Sequence, residues 1–182
     1  MLNDIELQKK VEILTNKLKL GLFKEVVDES KILLKKRKHQ VLFNLLSLSY
    51  QSLGQNDKSV EIMEIALKAN PKNPHFLNNI GLSHFKLSNF KEAETYFKRG
   101  LAEAPKYISI LNNLGNLKGY LNLNKSAIEY FNKILKINDK LIEPYFNLAI
   151  NYQALGEFEK SSECLKKILE LNPKFTAADR IL

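Results

Sequence analysis

Few side chains in this chain of 182 residues could carry out catalysis or bind a metal, and three histidines and one cysteine stand out among them. His75 and His84 are nine residues apart, so on one helix they would point in opposite directions and could not chelate one ion. His39 lies between helical segments, and Cys164 has no base beside it, as a nucleophilic thiol would need. The seven glycines are dispersed, without a phosphate-binding loop. The sequence therefore predicts no catalytic residue, no metal and no cofactor.

One fixed spacing recurs through most of the chain. It separates Pro71 from Pro105, and it also separates Gly81 from Gly115. Three asparagines keep the same spacing: Asn79, Asn113 and Asn147. A constant period of about 34 residues is typical of proteins built from stacked supersecondary units, each of which buries its apolar faces against its neighbours.

Each unit contains two stretches whose apolar residues recur at steps of three and four, the spacing of amphipathic helices. In one unit the helices are predicted from about Pro74 to Leu87 and from about Phe90 to Ala102. Asp4 is predicted to cap the first helix of the chain. Small residues occur where two helices would cross closely: Gly81, Gly115, Ala149, Ala93 and Ala127. Five units are predicted, over residues 7–39, 40–73, 74–107, 108–141 and 142–175.

These units resemble the tetratricopeptide repeat (TPR) in the residues at their fixed positions. One unit carries Leu77, Ile80, Gly81, His84, Ala93, Phe97 and Pro105. The family pattern has an aromatic residue, a Leu-Gly pair, a Tyr, an Ala, a Phe and a Pro in each repeat. The resemblance covers nearly the whole chain. It implies an all-α fold, a right-handed superhelical solenoid of about five antiparallel helix pairs, forming a single domain over residues 1–182.

The resemblance also implies a non-catalytic scaffold that binds a protein or an extended peptide on its concave face, which the first helix of each pair lines. The predicted peptide-binding residues are Asn44, Asn78, Asn79, Phe85, Asn112, Asn113, Asn116, Tyr120, Phe146 and Asn147. Other residues at equivalent positions are Leu48, Gln51, Ser109 and Glu143. An asparagine amide both donates and accepts, so it can pair with a peptide group whatever the ligand's side chains. Bonding to the neighbouring repeat and compositional bias are the alternative reasons for these asparagines.

Two further resemblances point to an alternative function. The register of Asn79, Asn113 and Asn147 resembles the asparagine ladder of O-linked N-acetylglucosamine transferases, in which the ladder holds the backbone of an extended polypeptide. Residues 176–180 are similar to the exit from the repeats in bacterial TPR-sulfotransferase proteins. Both imply a substrate-recruiting arm of a larger transferase (a glycosyltransferase or a sulfotransferase) whose catalytic domain lies beyond residue 182.

The C-terminal end suggests a third function, that of a self-assembly module. Residues 176–182 are predicted to begin a further or capping helix, and they end on Ile181 and Leu182. Without a partner for this helix, the apolar surface of the last pair, including Leu165 and Ile168, is expected to be incompletely covered. Exposed apolar patches drive association, so self-association through this end is expected.

The formal net charge of +8 raises the question of a nucleic-acid partner. The basic residues cluster late in the second helices and the acidic residues cluster early, an order that complements the helix dipole. No aromatic residues interleave with the bases as a strand-binding groove would require, so no nucleic-acid partner is predicted. No apolar run approaches the roughly 20 residues that span a bilayer, so no membrane partner is predicted. One cysteine and the lack of a secretory signal favour a cytoplasmic location.

Overall fold

A computed structural model describes residues 3–175, and this part of the chain contains ten α-helices and no β-strand. The helices are α1 (Asp4–Lys19), α2 (Phe23–Lys36), α3 (Gln40–Ser52), α4 (Asn56–Ala69), α5 (Pro74–Lys86), α6 (Phe90–Glu103), α7 (Ile108–Tyr120), α8 (Asn124–Ile137), α9 (Ile142–Ala154) and α10 (Phe158–Leu171). The prediction of an all-α fold made of helix pairs is confirmed. The two helices predicted within one unit match α5 and α6 to within one residue at each end.

The helices fall into two compact units, of which the first ends at Glu103 and the second begins at Ala104. The first unit contains the pairs α1–α2, α3–α4 and α5–α6, and the second contains α7–α8 and α9–α10. Within each unit the pairs stack, because α3 contacts α5 in one and α7 contacts α9 in the other. We call the earlier helix of each pair its first helix. The side of each unit formed by these helices is the first-helix face.

The helix starts follow from capping residues at two places. Asn3 accepts a 2.8 Å hydrogen bond from the backbone N–H of Glu6, whose carboxylate accepts one of 3.2 Å from the N–H of Asn3. The prediction that Asp4 caps α1 is wrong, since Asn3 has the extended backbone of a cap and Asp4 is the first helical residue. At α5, Asn73 accepts from the N–H of His75 at 2.9 Å and precedes Pro74, which suits the first turn.

Close crossing of the two helices within a pair depends on a small residue facing a large ring. A Cβ atom placed on Gly81 would lie 2.6 Å from the ring of Phe97. One placed on Gly115 would lie 2.7 Å from the ring of Phe131. Both rings are almost completely buried. The absence of a side chain on these glycines therefore lets α5 approach α6, and α7 approach α8, closely enough to bury both rings.

The core of the last pair is well covered. Leu165 and Ile168 are buried, and they pack with Ala149, Ile142 and Phe175 in one cluster. The expectation that Leu165 and Ile168 would be incompletely covered is therefore wrong, because side chains of α9 and of the segment after α10 lie over them. The predicted helix at 176–182, with Ile181 and Leu182, lies outside the described residues.

The α3–α4 crossing differs from its neighbours because it contains a buried polar cluster. Ser47 and Ser59 occupy the positions that Gly81 and Ala93 hold one repeat later, and their hydroxyls lie 2.7 Å apart. The Gln51 amide donates to the Ser83 hydroxyl at 2.9 Å and to the Asn79 carbonyl at 3.1 Å. Gln51 therefore points into the unit and links α3 to α5, whereas the sequence had placed it on the open face.

Replacing Gln51 by leucine is expected to lower the free energy of unfolding by about 1 kcal/mol. The change keeps the side-chain volume but removes the donor shared by Ser83 and the Asn79 carbonyl. The Ser83 hydroxyl keeps its contacts with Ser59 and with the Asn79 carbonyl, so neither group loses every partner. Urea denaturation followed by circular dichroism measures the loss. The exposed Gln8, replaced in the same way, provides the control and should change stability by less than about 0.5 kcal/mol. Equal stability of wild type and the Gln51→Leu variant would show that the cluster contributes nothing.

Candidate functional site

Amide side chains connect the first helices in the first unit. Asn79 on α5 donates from its Nδ2 to the Oδ1 of Asn44 on α3, at 3.1 Å. Asn79 is only 9% exposed, and its neighbour Asn78 is also buried, while Asn44 is half-buried. The predicted register of the asparagines thus brings Asn44 and Asn79 together, and at this step they bond to the neighbouring repeat.

A similar network links α7 and α9 in the second unit. The Asn147 amide lies 3.4 Å from the Oδ1 of Asn116 and 3.5 Å from that of Asn112, so these bonds are long. The Asn112 amide donates to a carboxylate oxygen of Glu143 at 2.9 Å. Asn116 is exposed, and Asn112, Asn113 and Asn147 are half-buried. These asparagines of the second unit are therefore more exposed to solvent than Asn79, and their hydrogen bonds to one another are longer.

A cleft of about 380 Å³ opens beside this second network. Its polar side consists of Ser109, Asn112 and Asn113 on α7 and Glu143 on α9. Its apolar side consists of Ile108, Ile134, Leu141, Ile142 and Pro144. The sequence identified the polar residues but missed the apolar wall. The signal for that wall was the apolar pair Leu141-Ile142, which directly precedes the open-face residue Glu143.

The three aromatic residues predicted for the site have different surroundings. The Phe85 ring is 5.8 Å from the Phe90 ring between centroids, and the Phe146 ring is 6.1 Å from that of Phe175. Both rings are half-buried within their own repeat. Tyr120, at the end of α7, is 63% exposed. Of the three, Tyr120 therefore presents the largest share of its surface to a ligand.

The basic residues of the second helices stand next to aromatic rings. The Arg99 guanidinium lies 5.3 Å from the centroid of the Tyr96 ring, and the Lys133 ammonium lies 5.1 Å from that of Tyr130. The prediction concerned aromatic residues that interleave with the bases as a strand-binding groove would require, and the rings beside these two bases are of another kind. These rings are covered by cations of their own helix, which is a different arrangement from an open surface on which bases stack.

Two of the four side chains considered first for chemistry, Cys164 and His84, pack against other residues, whereas His75 is exposed. Burial, with Glu163 nearby, raises the pKa of the Cys164 thiol to about 11, so this thiol is protonated at neutral pH. The His84 ring stacks on the ring of Tyr96 at a centroid distance of 5.4 Å. Residues 3–175 contain no group of three potential metal ligands. No helix within that range is long and apolar enough to cross a bilayer.

Paired helices at a regular period, with a small residue facing a large ring at the crossing, define a helical-repeat protein. Three family models, each described as tetratricopeptide repeat, match residues 44–108, 108–141 and 142–175. The chain therefore belongs to the tetratricopeptide repeat family, and the resemblance seen in its sequence is confirmed.

Among individual proteins, the chain is similar to the Photosystem I assembly protein Ycf3 of Prochlorococcus marinus subsp. pastoris. The two are 43% identical over 47 residues, which make up 26% of this chain and 27% of Ycf3. The aligned part thus spans about a quarter of that relative.

Solved structures share the fold at low sequence identity. TTC0263, a thermophilic TPR protein of Thermus thermophilus, has a TM-score of 0.80 at 16% identity, with 96% of each chain covered. YrrB, described as a TPR protein with an unusual peptide-binding site, has a TM-score of 0.70 at 15% identity, covering 93% of this chain and 88% of its own. At this level of identity the likeness demonstrates the fold alone.

Proposed function

We propose that this chain is a scaffold that binds a protein, through an extended peptide segment held on the first-helix face, and that it performs no chemistry itself. The observation that carries this proposal is the cleft of the second unit, where amides and an apolar wall stand side by side. Such a combination suits a peptide, because amides pair with its backbone while the apolar wall takes a side chain.

The asparagine network contributes to the proposal through its unused hydrogen-bonding capacity. Each amide offers two donors and accepts through two lone pairs. The long bonds between Asn147 and its neighbours on α7 are weak because of their length, so a peptide group can replace them at little cost. Asn79 is different, since its 3.1 Å bond to Asn44 is short and mostly shielded from water. We therefore assign direct ligand contact chiefly to Asn112 and Asn147, together with Asn113 because it lines the cleft.

The names of two similar proteins are consistent with this function. Ycf3 is named as an assembly protein of photosystem I, and YrrB is described as having a peptide-binding site. Both descriptions belong to those proteins. They support the proposal because one name refers to assembly and the other to the binding of a peptide.

Replacing Asn113 and Asn147 together by alanine is expected to weaken peptide binding about tenfold. Each lost hydrogen bond contributes about 0.5–1.5 kcal/mol, and about 1.4 kcal/mol corresponds to a factor of ten in affinity. A peptide selected from a random library on the immobilised wild-type chain provides the ligand. Titration of this peptide by fluorescence anisotropy then compares the variants.

The control for this experiment is Asn132→Ala, which changes an exposed asparagine on the second helix α8. It should bind the selected peptide as wild type does. Adding Asn79→Ala to the double variant removes all three asparagines that share the constant spacing. Circular dichroism checks that each variant is folded. Unchanged affinity in a folded double variant would assign the asparagines to packing between repeats and remove the basis of the proposal.

A further inference from the structure

Apart from the cleft of the second unit, a groove lies in the first unit, on the side of the second helices. It has a volume of about 300 Å³ and runs between α2 and α4, with α3 beneath it. Its floor is aliphatic and aromatic, formed by Leu34, Phe43, Leu46, Ile62 and Ile65. Phe43 and Leu46 belong to the core, but Ile65 is 49% exposed. A large apolar side chain thus faces solvent over an apolar floor.

At this groove α4 differs from the second helices of the next two repeats, α6 and α8. One period after Ile62 and Ile65 stand Tyr96 and Arg99, and one further period on stand Tyr130 and Lys133. In both later helices the cation lies over the ring, at 5.3 and 5.1 Å from its centroid.

The large ring and the cation act together where they are present. The Tyr96 ring packs against the core cluster that contains Phe43 and Phe76, and Arg99 shields this ring from water. In α4 both positions are isoleucine, so neither the ring nor its cationic cover is present. The groove is the space that this pair of substitutions leaves open.

The rim of the groove is basic. Lys31, Lys35 and Lys38 follow one another along α2 and the turn after it, and all three are exposed. Lys31 lies 5.5 Å from the centroid of the Tyr50 ring and is also attracted by Asp28. Lys35 and Lys38 take part in no ion pair with any described residue. They can therefore receive carboxylates from outside without breaking an existing contact.

We propose that this groove binds an acidic, amphipathic segment of a partner protein, independently of the first-helix face. Large apolar side chains of the segment cover Ile62 and Ile65, and its carboxylates meet Lys35 and Lys38. Burial of apolar surface supplies most of the affinity, and the charges supply the choice of partner and the rate of encounter. A nucleic acid fits less well, because the floor offers no exposed ring on which a base could stack.

The test uses a fluorescein-labelled synthetic helix of about 14 residues, about four turns long. Its leucines are placed at positions i, i+3 and i+7, aspartate and glutamate stand next to them, and alanine occupies the other positions to favour the helix. Fluorescence anisotropy should show binding to the full chain with a Kd of roughly 1–100 µM. Ile65→Arg should weaken this binding at least tenfold, because it replaces apolar surface that the segment would bury by a guanidinium that is costly to remove from water. The double change Lys35→Glu and Lys38→Glu should weaken it about tenfold through charge repulsion.

Matched controls distinguish binding in the groove from nonspecific hydrophobic binding and from nonspecific electrostatic attraction. Ile32→Arg replaces an isoleucine of α2 that is about as exposed as Ile65 and does not line the groove. The pair Lys125→Glu and Lys136→Glu makes the same change in net charge in the second unit. Both should bind the acidic helix as wild type does, and so should the Asn113→Ala, Asn147→Ala variant. That last comparison keeps this proposal distinguishable from the one for the first-helix face.

Several outcomes would overturn the proposal. One is a lack of binding at peptide concentrations up to about 1 mM. Another is equal binding of a peptide with lysine in place of every acid, which would indicate mere hydrophobicity. Equal binding of polyglutamate would indicate mere charge. Finally, sedimentation showing self-association that Ile65→Arg abolishes would make a second copy of the chain the occupant.

Discussion

Truncation of Phe97 to alanine is expected to lower the free energy of unfolding by about 3–5 kcal/mol. The ring is 1% exposed and lies against Gly81, within the distance at which a Cβ atom would collide with it. Because Gly81 has no side chain, this part of the cavity wall contains no side chain that can move in to fill the space. Urea denaturation followed by circular dichroism measures the loss.

The matched control for this change is Phe158→Ala, since Phe158 is 66% exposed at the start of α10. Its truncation should change stability by less than about 0.5 kcal/mol. Repeat arrays do not always unfold in one step, so a transition that splits into two would assign the loss to the first unit. A Phe97→Ala variant within about 1 kcal/mol of wild type would contradict the account of the helix crossing, since core truncations of this size cost more.

The close crossing within α5–α6 and α7–α8 was predictable because the same contact recurs one period later. Gly81 and Phe97 are followed one period later by Gly115 and Phe131. The need for a small residue against a large ring is therefore visible twice in the sequence. The helix bounds were predictable for the same reason. Proline at the start of α5 and apolar residues at helical spacing act within a few residues and do not depend on the rest of the fold.

The direction of individual polar side chains was not predictable in the same way. Gln51 occupies a position that looks open on its own helix, yet it turns inward because Ser83 and the Asn79 carbonyl of the next repeat accept its hydrogens. Asn79 likewise bonds to Asn44 on α3. Such choices depend on partners in a neighbouring repeat, whose distance and orientation a periodic pattern does not specify.

The groove on the second helices was predictable only in part. The replacement of Tyr96 and Arg99 by Ile62 and Ile65 is visible when successive repeats are aligned. The three lysines that border the groove are also visible, but in the sequence they look like an ordinary helix end rich in bases. Only the packing of α2 and of α4 on α3 shows that these lysines border an apolar floor.

Alanine in place of Gly81 is expected to lower the free energy of unfolding by about 2 kcal/mol. A new Cβ at 2.6 Å from two ring atoms of Phe97 forces the buried ring or the helix to move, which costs about 3 kcal/mol. Alanine returns about 1 kcal/mol through its higher helix propensity. Urea denaturation again provides the measurement.

Gly119→Ala is the matched control in a helix. There the atom nearest to a new Cβ is the Asn151 amide oxygen at 3.3 Å, at the end of a side chain that can shift slightly. The clash should therefore cost little, and the higher helix propensity of alanine, up to about 1 kcal/mol, should leave the variant at least as stable as wild type.

The cause of the loss at Gly81 can be isolated by adding Phe97→Leu to Gly81→Ala. Leucine is smaller and can rotate away from the new methyl group, so the double variant should be more stable than the sum of the two single losses predicts. A coupling of at least about 1 kcal/mol would show that the two residues act through one contact. Additive losses would mean that the glycine is needed for another reason, such as the backbone of α5 itself. The same cycle at Gly115 and Phe131 should give a similar coupling, because the second unit repeats the contact at 2.7 Å.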